Sequence, residues 1–175
     1  RNLSAALTFI NENEISKGKL LLQQCVDSLN DQQEFSEPNA LNGNSLNEAI
    51  PFLAQYLESK YQVKLSYQCE LAVKELSYEL QADLYRVIYE AITSAILSGN
   101  GRNFKVVLQK FKNKIWLNIS DDSQSFIHFN SKVNFNISMY YIRQIASKHN
   151  GSINTFNEQG NASQLVLSLP IMHGN

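Results

Sequence analysis

Hydrophobic positions recur along this 175-residue chain with two different periods. From Leu3 to about Asn13, Leu3, Leu7 and Ile10 fall on one helical face, and from Lys17 to about Phe35 the residues Leu21, Leu22, Cys25, Val26 and Leu29 do the same. The short polar link Glu12–Ser16 makes these two an antiparallel hairpin candidate. A polar stretch, Glu37–Gly43, contains Pro38 and separates the hairpin from the next helix. That third helix is predicted over about Ser45–Tyr61, where Ser45 and Glu48 have capping-box spacing. Pro51 lacks an N–H and moves its expected start toward residue 51.

Val63, Leu65 and Tyr67 then alternate with polar residues, as a strand does. Ser77–Leu97 carries the strongest helical period, through Leu80, Leu84, Val87, Ile88, Ala91, Ile92 and Ala95, and Gly99-Asn100-Gly101 ends it. Phe104, Val106 and Leu108 alternate, as do Ile115, Leu117 and Ile119, with Lys112-Asn113-Lys114 between them as a hairpin turn. Asp121 to about Phe135 has no period and reads as a loop. A helix over Met139–His149 stops at Gly151, and Ile153–Phe156 and Leu165–Leu169 close the chain as strands joined through Gly160-Asn161. The order predicts an α/β (α+β) fold: a two-layer sandwich of a mixed sheet with helices on one face, preceded by a helical hairpin. The boundaries are a hairpin at 1–36 and a domain at 37–175. The hairpin is too short to bury both apolar faces alone, so a second copy or further sequence is expected to cover it.

Composition narrows the possible functions. A net charge of −1 argues against nucleic acid as the main partner, because phosphate binding shows as a basic stripe. No apolar run reaches 18 residues, and no secretion signal opens the chain. Cys25 and Cys69 are far apart, which gives neither a disulfide framework nor a metal site and makes a reduced cytoplasmic setting the expectation. The chain opens at Arg1 without a methionine and is read as a piece of a longer parent. Only 7 of 175 residues are glycine, about 4% against a typical ~7%. Such a chain is poorly supplied for a glycine-rich phosphate loop.

Four stretches, in order, resemble one family. Leu84-Tyr85-Arg86-Val87-Ile88-Tyr89-Glu90-Ala91-Ile92-Thr93-Ser94-Ala95 is similar to the N-box helix in the ATP-binding (HATPase, GHKL) domain of sensor histidine kinases of the nitrate- and sugar-phosphate-sensor type. Leu41–Ala49 resembles the start of that domain's first helix, and Ile119-Ser120-Asp121-Asp122 resembles the strand end that carries the G1 box. Ile142–Ala146, Gly151-Ser152-Ile153 and Gly160–Pro170 resemble the final helix and closing strands. The resemblance covers roughly Leu41–Pro170, and it implies that the leading hairpin is part of the family's dimerisation helices. It also implies an ATPase-type site. There an N-box asparagine holds Mg²⁺ against the triphosphate, a glutamate four residues earlier acts as or orients a base, and a G1 aspartate accepts a hydrogen bond from the adenine amino group. The phosphoryl group then passes to a histidine on the dimerisation helix, with electrostatics supplying most of the catalysis.

The matching positions here depart from that pattern. Glu90 keeps the base slot and Asp121 the adenine slot, followed by Asp122. Ser94 replaces the metal-binding asparagine, and a hydroxyl is a shorter and different ligand from an amide oxygen. Ser123 and Ser125 replace the two G1 glycines, Asn136-Ile137-Ser138-Met139 replaces the G2 box, and Ala162-Ser163 replaces a Gly-Thr pair. A β-carbon where positive φ is needed costs on the order of 1 kcal/mol and fills space meant for phosphates. The expected function is the C-terminal kinase-like domain of a two-component sensor with weak or no ATP binding and no cofactor, acting by homodimerisation through its first helices or by docking a response regulator. ATP and Mg²⁺ enter if the first alternative holds, an active histidine kinase domain with an atypical site. A second alternative is an ATP-independent histidine phosphotransferase. His128, His149 and His173 all lie outside the first two helices, so no phosphoacceptor is expected there. The resemblance implies a cytoplasmic position, with membrane contact only through other parts of the parent. Asp121-Asp122 also suit a turn, Glu90 a helix surface and His149 a helix C-terminus. Trp116 is out of phase with Ile115 and Leu117 and is expected to face away from the core, where a partner could meet it.

Overall fold

The computed structural model describes residues 41, 43–98, 101–123, 126, 137–157 and 162–171, and Leu22 besides. The chain divides into two compact units, Arg1–Ala40 and Leu41–Asn175. The hairpin expected over 1–36 lies outside the described residues, as do Cys25, His128 and His173.

Helix α1 runs Leu46–Tyr61 and buries Leu46, Ala49, Ile50, Leu53 and Leu57 along one face. It begins at Leu46 rather than near Pro51. Glu48 Oε2 accepts from both Ser45 N (2.8 Å) and Ser45 Oγ (2.7 Å), which anchors the first turn ahead of the proline. Those two bonds hold the Glu48 carboxyl below its ordinary value. Pro51 sits inside the helix, tolerated because the buried residues on either side hold that segment against the core. Strand β1 (Lys64–Cys69) follows, then one 3-10 turn at Val73–Glu75. Helix α2 (Tyr78–Ser98) buries Leu84, Val87, Ile88, Ala91, Ile92 and Ala95 of the periodic set, while Leu80 in its first turn is half-buried. Strands β2 (Asn103–Phe111) and β3 (Lys114–Asp121) form the expected hairpin. Helix α3 (Ile137–Lys148), β4 (Ser152–Asn157) and β5 (Ser163–Pro170) complete the chain.

The five strands form one mixed sheet in the order β1-β2-β3-β5-β4. Only β1 and β2 are parallel, because α2 returns the chain between them. Helix α1 packs on β1, α2 on β3, and α3 on β4 and β5, with α1 touching α2 and α2 touching α3. The helices therefore form a single layer, and alternate residues face it: Phe104, Val106 and Leu108 on β2, Ile115, Leu117 and Ile119 on β3, Leu165, Leu167 and Leu169 on β5. Each is buried to within a few percent, and full burial of such a side chain is worth roughly 1.5–3 kcal/mol. Trp116 lies on the other face, half-buried, as expected. Gly151 closes the turn after α3: its N–H donates to Ala146 O at 2.7 Å, and a β-carbon there would lie 2.5 Å from Ser168 O. Among the described residues no helix is long and apolar enough to cross a membrane.

Candidate functional site

The two slot carboxylates are carried by the end of a strand and the middle of a helix. Asp121 ends β3 and Ser163 begins β5, and the antiparallel register sets them directly opposite. Asp121 is only 4% exposed. Its Oδ1 accepts from Ser163 Oγ at 2.5 Å and its Oδ2 from Ser123 Oγ at 2.5 Å. Ser163 Oγ in turn accepts from Phe126 N at 3.0 Å, and the Phe126 ring is fully buried. Gly101 closes the other side, since a β-carbon there would lie 2.9 Å from Asp121 Oδ2 and 3.2 Å from Ser123 Oγ. The carboxylate is thus bonded at both oxygens by hydroxyls of the same chain.

Asp122 points elsewhere. It is exposed, and its Oδ1 accepts from Arg102 N (2.8 Å) and Asn103 N (3.1 Å) while Asn103 Nδ2 donates to its Oδ2 at 2.5 Å. Partial burial pushes this carboxyl up, but the bonds from Asn103 and Arg102 outweigh it and hold it below its ordinary value. It fastens the start of β2 to the end of β3.

Glu90 lies midway along α2 and is 8% exposed. Ser138, in the first turn of α3, donates Oγ–H to Glu90 Oε2 at 2.7 Å. Arg86, one turn earlier on α2, brings Nε within 3.5 Å of Glu90 Oε1. The Arg86 guanidinium also lies 5.0 Å from the Tyr141 ring centroid. Ser94, one turn beyond Glu90, is buried at 7% exposure. Ser125 lies outside the described residues.

The residues that the resemblance aligns with a nucleotide site are each engaged within the chain. Each Asp121 oxygen accepts one hydroxyl bond, Glu90 takes part in an ion pair and a hydrogen bond, and Ser94 is buried. Among the described residues no group of three or more His, Cys, Asp or Glu could hold a metal ion. The structure thus joins Asp121 with Ser123, and Glu90 with Ser138, but leaves Asp122 outside both clusters. Gly101 and Tyr141 escape a reading by motif because neither stands in a stretch that carries the resemblance, whereas Arg86 lies within the N-box-like stretch itself. His149 is also held by more than a helix end: its Nε2 lies 2.6 Å from Asp83 Oδ2, and Lys148 Nζ reaches the same oxygen at 2.8 Å and Glu79 at 2.8 Å.

No protein-family model matches the chain. It is 20% identical over 151 residues to the oxygen sensor histidine kinase NreB of Staphylococcus carnosus, across 86% of this chain and 44% of that protein. The chain therefore spans less than half the length of that relative. Among solved structures, the catalytic domain of histidine kinase ThkA, nucleotide free, is similar with a TM-score of 0.54 at 15% identity, covering 71% of this chain and 89% of that one. The blue-light activated histidine kinase of Erythrobacter litoralis EL346 gives a TM-score of 0.62 at 13% identity, over 98% of this chain and 59% of that one.

Proposed function

We propose that this chain, which has the histidine kinase catalytic-domain fold, is the kinase-like part of a two-component sensor and binds Mg·ATP weakly or not at all. One observation carries the reading: the groups that would receive nucleotide already receive hydrogen bonds from serines at positions where the family pattern has glycine or threonine. These hydroxyls take up part of each carboxylate's accepting capacity and stand beside it, so a nucleotide has fewer new bonds to gain there. The module then works by contact, through homodimerisation by the segment read as a dimerisation-type hairpin at 1–36 and by docking a response regulator in the cytoplasm. The kinship to a named sensor histidine kinase supports a place in such a pathway.

Calorimetric titration of the chain with Mg·ATP tests this. The expected outcome is no saturable heat, corresponding to a Kd above about 1 mM, where the standard free energy is only about −4 kcal/mol. The same titration on the combined Ser94→Asn, Ser123→Gly and Ser138→Gly variant should gain affinity. Micromolar binding by the unaltered chain would overturn the reading in favour of an active kinase domain, in which Glu90 and Asp121 are released to the ligand.

A further inference from the structure

The β2–β3 hairpin concentrates charge in a way the composition conceals. From Arg102 to Ser120 the chain carries Arg102, Lys105, Lys110, Lys112 and Lys114 and no acid, although the whole chain has a net charge of −1. Three of these lysines lie within five residues at the tip, Lys110-Phe111-Lys112-Asn113-Lys114, and all five residues are exposed. Phe111 is 57% exposed, with Lys112 Nζ 5.5 Å from its ring centroid. The pleat sends Phe111 and its partner Lys114 to the helix-free face and Lys110 to the other, while Lys112 stands in the turn at φ 55. The exposed ring thus sits at the hairpin end with one ammonium group over it and two more lysines within three residues. Among the described residues none of the three lysines is in an ion pair. Glu70 borders the hairpin where its N–H donates to Leu108 O, and its carboxylate is engaged by Gln68, whose Nε2 donates to Oε1 at 2.7 Å.

The geometry points to this hairpin tip as a docking surface for an anionic phospholipid bilayer. Charge complementarity gives the sign of the partner, and three features select a bilayer among anionic partners. The three lysines are gathered at one turn and form no extended basic stripe that could track a nucleic acid strand. Its cations are all lysines, compact hydrated charges without the bidentate fork that reads a fixed carboxylate or phosphate. One bulky aromatic ring flanked by flexible lysines suits a planar interface, where the ring enters the headgroup layer and the ammonium groups stay in water.

Co-sedimentation of the chain with phosphatidylcholine vesicles, with and without phosphatidylglycerol, tests the assignment. Binding should need phosphatidylglycerol and weaken as salt rises. Each lysine changed to glutamine should weaken partition about fivefold, and Lys110→Gln, Lys112→Gln and Lys114→Gln together about a hundredfold. Phe111→Ser should weaken it further without restoring neutral-lipid binding. All four side chains are exposed, so an unchanged thermal melt shows that the variants stay folded. Equal binding by the triple variant, or no binding to phosphatidylglycerol vesicles, overturns the proposal. Tighter capture of polyglutamate or single-stranded DNA than of the vesicles also overturns it, by giving the surface to an acidic protein or to nucleic acid.

Discussion

Ser163 serves two buried partners with one oxygen, donating to Asp121 Oδ1 and accepting from Phe126 N. Ser163→Ala leaves a buried acceptor and a buried N–H short of a bond each, so unfolding in urea should show a loss of about 2 kcal/mol. Asp122 contributes differently. Its carboxyl is depressed in the folded chain, so its contribution is present above the ordinary value of 3.8 and is lost as pH falls through the lower folded value. Melting temperature followed from pH 6 downward should therefore fall more steeply in the parent than in Asp122→Asn, which lacks the titrating group. The residue types at both sites were legible from the strand-end motif Asp121-Asp122. Their division of labour was not, because adjacent residues on a strand point to opposite sides and only the third dimension says which side holds Ser163 and which holds Asn103.

Every described helix and strand lies within a few residues of where the hydrophobic period places it, since that period records which face is buried. The start of α1 is the instructive exception: proline spacing favoured residue 51, but the Ser45–Glu48 cap and a buried Leu46 set the start five residues earlier. Contacts between elements were beyond the reach of periodicity. Ser138 and Glu90 are 48 residues apart, and His149 and Asp83 are 66 apart. Together these contacts fasten both ends of α3 to α2, one at its first turn and one just past its last residue. Amide exchange should therefore find α2 and α3 opening as one cooperative unit. Ser138→Ala together with His149→Ala should accelerate exchange in α3 well before α2, and unchanged exchange in α3 would remove these contacts as its anchors.

For the molecule as a whole, composition gave a near-neutral protein and the fold separates that neutrality into regions. Five cations and no acid stand between Arg102 and Ser120, whereas Glu79, Asp83 and Glu90 line α2. Gly151 stands where β5 passes too close for a side chain, and serine hydroxyls bond Asp121 and Glu90. Strand β3 joins the two ends of this arrangement, with Lys114 at one end and Asp121 at the other. Seven residues of extended chain span about 24 Å. A molecule standing upright on its hairpin tip would thus carry Asp121 about 24 Å above the surface, more than two Debye lengths from the lipid charge at physiological salt. The strand acts as a spacer: surface attachment and whatever meets the Asp121 end can occur together without competing for the same space.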